Sequence, residues 1–67
     1  MLSARNQFTG TVKSVKLGGV MAEVVVTVAA DVEIVSVITR SSAESLGLKA
    51  GDAVTAVIKS TEIMIQK

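Results

Sequence analysis

Ser3 and Arg5 stand two apart near the start of this chain of 67 residues, and Lys59 and Ser60 stand side by side near its other end. In an extended segment, residues two apart share a side. The Ser3 hydroxyl and the Arg5 guanidinium would therefore face one location, with Ala4 between them leaving the backbone approachable. Lys59 and Ser60 would point to opposite faces of a regular strand. Both reach one location only if the strand breaks at Ser60, or if Ser60 contributes its backbone N–H. Two cations and two hydroxyls, with no carboxylate inside either segment, form an all-donor set. Such a set suits a fully deprotonated oxyanion, whereas a phosphate that keeps a proton wants an acceptor. Charge-assisted hydrogen bonds contribute roughly 1.5 to 3 kcal/mol each. Four or five of them, less ordering costs, are enough for the ~8 kcal/mol of micromolar binding. The plain alternative is that Arg5 is a frayed surface residue and Lys59 a solvated strand end. Glu62, two residues past Ser60, is near enough in sequence to neutralise Lys59 instead.

Other chemistry is largely excluded by composition. The chain has no histidine and no cysteine, so an ordinary Ser-His triad, a thiol nucleophile and the commonest direct cation ligands are all missing. Its six carboxylates are scattered, and the closest pair, Asp31 and Glu33, reads as a solvated strand edge. An enzyme is not expected. A nucleic-acid binder is not expected either. Single-strand binding relies on aromatic stacking platforms and a basic groove, and this chain offers one Phe, no Tyr, no Trp and a net charge of +1.

Size and hydropathy point to self-association. A chain this short buries only about 60% of the surface its unfolded form exposes, and small scaffolds need a disulfide, a metal or assembly. Without cysteine or histidine, assembly remains. Apolar residues make up 49% of the chain and mean hydropathy is +0.59, so apolar surface must be covered by further copies. The densest apolar run, Gly18 to Ala30, contains Glu23 and falls short of the ~20 residues of a membrane-spanning helix. No signal peptide is evident, and a cytoplasmic location is the default.

These donors must be positioned by strands. Phe8, Gly10 and Val12 alternate with polar residues, and the phase then slips to Val15 and Leu17, which predicts a bulge near Lys13 and Ser14. Gly18-Gly19 reads as a turn. Val20, Ala22, Val24, Val26 and Val28 then hold one face of a second strand. Ala30-Asp31 turns the chain into a third, over residues 32 to 39. Ser41 with Glu44 three residues on fits a capping box, opening a short helix that Gly47 ends. Residues 49 to 52 turn again, and a fourth strand (53–59) and a fifth (62–66) follow. The expectation is an all-β fold: a small five-stranded OB-like barrel with one short helix between strands 3 and 4.

The segments "SARNQ" at 3 to 7, "GTV" at 10 to 12, "GGVMAEV" at 18 to 24, "VITRSSAESLGLKAGDAV" at 37 to 54 and "AVIKST" at 56 to 61 together resemble one family. It is the molybdate-binding Mop (TOBE-type) domain in its stand-alone form, the molbindins. The resemblance runs almost the whole length and treats residues 1–67 as a single domain. It implies an OB-like barrel assembled into a homohexamer, a trimer of dimers, with no cofactor. Molybdate or tungstate would be bound at subunit interfaces for storage or homeostasis. Carried over by motif, Ser3, Arg5, Lys59 and Ser60 contact the oxyanion, with backbone N–H groups near Ala4 and Val20 as further donors. Ser3 and Arg5 would then come from one chain, Lys59 and Ser60 from another. The resemblance also implies more than one kind of pocket. A second is expected near Ser41 or Ser42, unless both merely cap the helix. Ser36 departs from the small apolar residue expected there, which bears on packing alone. Two other readings stay open at this point: a structural or partner-binding oligomer with incidental anion affinity, and a small nucleic-acid binder.

Overall fold

The computed structural model describes residues 4–67. Its elements are β1 (Asn6–Leu17), β2 (Met21–Ala29), β3 (Val32–Thr39), α1 (Arg40–Ser45) and β4 (Ala53–Ile58), followed by a 3-10 turn over Ser60–Glu62. The strands make one antiparallel sheet in the order β3-β2-β1-β4.

β1 organises the sheet by dividing itself between two partners. Asn6 to Thr11 pair with β4, and Thr11 to Leu17 pair with β2. The change of partner falls where the hydrophobic phase slips: the register with β2 shifts between Val12 and Ser14. Lys13 is the extra residue, and a bulge there bends the strand. At the bend Val12 is 1% exposed. Its N–H donates to the Asp52 carbonyl at 2.9 Å and its carbonyl accepts from Gly51 N–H at 2.8 Å. The core is correspondingly small, built on Val12, Val24 and Val26 with Val15, Ile38 and Val54 packed against it.

β2 shows the expected alternation, with Ala22, Val24 and Val26 buried. Val20 departs from it. It precedes the strand in the turn after Gly18 and is 76% exposed. At the other end of β2, Asp31 takes a left-handed φ of 61°, which Asp tolerates in a tight turn. Ser36 lies opposite Val24 on the inner face and is half-buried.

The helix stands where expected, but its cap is different. Thr39 is the N-cap: its hydroxyl accepts from Ser42 N–H at 3.1 Å. Ser41 lies inside the first turn, so the Ser41–Glu44 capping box does not form; instead Glu44 pairs with Arg40 one turn back, at 3.5 Å. The chain reverses after the helix through Gly47, at φ 62°. Replacing Thr39 by alanine is expected to cost about 1 kcal/mol, a fall in melting temperature of roughly 5 °C. Ser41→Ala should leave the melt unchanged, and equal losses in the two variants would reject Thr39 as the cap.

The next turn is tied by Asp52. Its carboxylate accepts from Lys49 N–H and from Lys49 Nζ, each at 3.0 Å, and these bonds hold its pKa below the usual carboxylate value.

Four strands form where five were expected, and the sheet does not close into a barrel. β4 ends at Ile58, the chain turns through Ser60–Glu62, and residues 63–67 have no regular structure. A strand exists only through its ladder partner, and no edge of this sheet pairs with that tail. Met64 and Ile65 are consequently 94% and 90% exposed. Between β3 and β4 lies an open trough of about 710 Å³, floored by Val12, Val24 and Val26.

Candidate functional site

The β1–β4 ladder ends in the pair Asn6↔Ile58. Arg5 and Lys59 are the next residues on each strand, so the two donor segments lie side by side within one chain. Long-range register placed them there. β4 stops one residue before Lys59, whose backbone is still extended (φ −66°, ψ 136°), and Ser60 begins the 3-10 turn. The strand thus breaks at Ser60, the condition under which Lys59 and Ser60 can serve one location.

Two amides hold this end of the sheet together. Asn6 Nδ2 donates to the Ile58 carbonyl at 3.4 Å, and Gln7 Nε2 donates to the Ala4 carbonyl at 3.2 Å. Each occupies a backbone acceptor beside the cations. Both residues stand in the "SARNQ" run, but only the fold reveals their partners. Ala4 is 8% exposed, so its methyl anchors the segment in the core while Arg5 stays outside. Ser3 lies outside the described residues.

This end carries two cations and, at Glu62, one carboxylate. Among the described residues the ion pairs are Lys13–Glu33, Arg40–Glu44 and Lys49–Asp52, and neither Arg5 nor Lys59 is in one. Glu62 makes no ion pair with Lys59; its N–H donates to the Lys59 carbonyl at 2.9 Å instead. An exposed pair of cations is a modest attractor in water. Its Coulomb attraction for a dianion rises several-fold in a pocket of lower effective dielectric.

Val20, Ser41 and Ser42 gather elsewhere. The Arg40 N–H donates to the Val20 carbonyl at 2.7 Å, which places the helix start against the β1–β2 turn. This group and the Arg5–Lys59 group stand beyond opposite ends of the 12-residue β1. Ser42 is engaged with Thr39, hydroxyl to hydroxyl at 2.7 Å, while Ser41 meets Thr39 only at 3.4 Å. No helix of the described residues is long and apolar enough to cross a membrane.

A small antiparallel domain of OB-like type, with cationic donors at one end of its longest strand and a glycine turn at the other, is the class these features define. The chain belongs to the TOBE domain family, whose model matches residues 2–65. It is 52% identical over 64 residues to molybdenum-pterin-binding protein 3 of Clostridium pasteurianum, covering 96% of this chain and 94% of that protein. Among solved structures, it superposes on a molybdate binding protein from Sporomusa ovata with a TM-score of 0.93. Identity there is 40%, over 100% of this chain and 98% of the other. It also matches the cytoplasmic molybdate-binding protein ModG in its form with molybdate bound, at a TM-score of 0.84 and 47% identity. That match covers 90% of this chain and 43% of ModG.

Proposed function

We propose that this chain, acting as a single domain, binds molybdate or tungstate as a non-catalytic oxyanion carrier, serving storage or homeostasis in the cytoplasm. The observation that carries the proposal is the Asn6↔Ile58 register, which brings Arg5 and the Lys59–Ser60 pair to one place with no carboxylate paired to either cation. Ser3, on the strength of the sequence motif alone, and the backbone N–H of Ala4 are taken as further donors of the same site. The similar proteins described above, two of them molybdate-binding, support the choice of anion.

The pocket is completed between copies. Val20 and the Arg5–Lys59 group stand beyond opposite ends of β1, so a site that uses both takes them from two chains. Ser41, whose hydroxyl is the less engaged of the helix serines, marks a second pocket, with the Ser42 backbone already given to the cap. Assembly also accounts for the missing fifth strand: residues 62–66 pair once another copy supplies an edge, completing a barrel in a homohexamer. Binding then stabilises the assembly by mass action.

The exposed apolar tail and open trough favour a second reading on their own, a structural oligomer with incidental anion affinity. Thermal melts separate the two. Molybdate and tungstate should raise the melting temperature by several degrees, with sulfate and phosphate doing much less; at a hundred times Kd the stabilisation is about 2.7 kcal/mol. Native mass spectrometry on the same samples should count six chains and their bound anions. Equal shifts with sulfate would leave only the structural reading.

A further inference from the structure

The β1–β2 turn is an unusual hairpin. Gly18 N–H donates to the Met21 carbonyl at 2.7 Å, leaving Gly19 and Val20 as a two-residue loop. Favoured two-residue hairpin loops place one or both central residues at positive φ, yet the left-handed residues among those described are Asp31, Gly47 and Gly51. The reciprocal bond from Met21 N–H to the Gly18 carbonyl is not formed either. Arg40 replaces it: Nη1 donates to the Gly18 carbonyl at 3.1 Å, while the Arg40 backbone N–H takes the Val20 carbonyl at 2.7 Å. Glu44, at 3.5 Å from Nε, restrains the guanidinium from the far side.

Peptide geometry turns this clamp into an aiming device. In a trans peptide the C=O and the following N–H point in opposite directions. Fixing the Gly18 carbonyl toward Arg40 therefore fixes the Gly19 N–H away from it. Nothing lies within 4 Å of a Cβ built at Gly19, and Val20 is largely exposed. Among the described residues neither the Gly19 nor the Val20 N–H has an acceptor. The loop leaves two backbone donors without acceptors, beside a guanidinium that is itself paired with Glu44.

We propose that Arg40 is the positioning residue that makes the Gly19–Val20 loop an oxyanion-binding lip. This rests on the molybdate reading above and extends it by naming what orients the backbone donors. A single amide is weak. Two unpaired amides on a loop whose Gly18 carbonyl is drawn to the Arg40 guanidinium and whose Val20 carbonyl is drawn to the Arg40 backbone N–H act as one donor group.

Amide NMR of the assembled protein, with sodium molybdate as the probe, tests it. In the ligand-free wild type, Arg40→Met should already move the Gly18 and Gly19 amide resonances, because the carbonyl bond is read without any anion. On titration, the Gly19 and Val20 amides of the wild type should shift and saturate. Arg40→Met should then weaken molybdate about tenfold, as loss of one charge-assisted interaction does. Arg40→Lys, which restores charge without the planar fork, should recover little of that loss. Full recovery by lysine would reduce Arg40 to a distant charge and overturn the positioning role. So would wild-type binding that leaves the Gly19 and Val20 amides still. A wild type that binds no molybdate overturns the function proposed above, and a Gly19 resonance unmoved by Arg40→Met in the free protein overturns the clamp by itself.

Discussion

The double variant Arg5→Ala, Lys59→Ala is expected to lose molybdate binding by two to four orders of magnitude while melting, without ligand, like the wild type. Each cation contributes a charge-assisted bond of roughly 1.5 to 3 kcal/mol, and every 1.4 kcal/mol is about a factor of ten. Removing both changes net charge from +1 to −1, so the field that gathers a dianion reverses as well. Stability should be spared because both residues are exposed and neither is in an ion pair among the described residues. Arg5→Lys should fall between, keeping the charge and losing the two-pronged geometry that suits an oxyanion. Isothermal titration calorimetry measures all three. An affinity for the double variant within threefold of the wild type would remove this end of the sheet from the site.

Gly10→Ala should be the most damaging single substitution for the fold. A Cβ at Gly10 would collide with the Thr27 carbonyl oxygen and stand 3.0 Å from Val26 Cγ1. The oxygen belongs to a paired strand, since Thr27 is opposite both Thr11 and Glu33, so it cannot move aside as a flexible side chain would. Overpacking of this kind costs about 3 kcal/mol. A domain of this length has roughly 3 to 10 kcal/mol in all. The melting temperature should fall by at least about 10 °C, read by circular dichroism. Gly19→Ala is the control: with open space around it and no left-handed φ, it should melt within a degree or two of the wild type. Similar behaviour of the two variants would show that β1 and β2 are not in the close approach described.

Local pattern carried much of the architecture. The phase slip at Lys13 marked a real bulge, because one face of β1 is buried and a displaced register shows directly in the order of apolar residues. Alternation in β2 marked Ala22, Val24 and Val26 as inward. Two kinds of feature escaped. Caps depend on a competition among neighbours: Thr39, Ser41 and Ser42 are all chemically eligible, and the Glu44 that recommended Ser41 pairs with Arg40. Pairing between distant segments was the other. "EIMIQ" has strand chemistry, but strand identity belongs to a ladder and not to a segment. For the same reason the residue types around Arg5 and Lys59 suggested an anion, while their adjacency within one chain needed the β1–β4 register. Arg40 drew no attention because its work is done on carbonyls, which carry no sequence signature.

The exposed end of the chain also bears on how this protein avoids uncontrolled aggregation. Ile63, Met64 and Ile65 form a short, apolar, proline-free stretch of the kind that adds to any available sheet edge, and β3 and β4 both present one. Glu62 and Lys67, with Gln66 beside the latter, bracket it with charge and polarity. Such gatekeepers penalise stacking of identical segments in register, where like charges would line up, yet they leave the three apolar side chains free to seat singly.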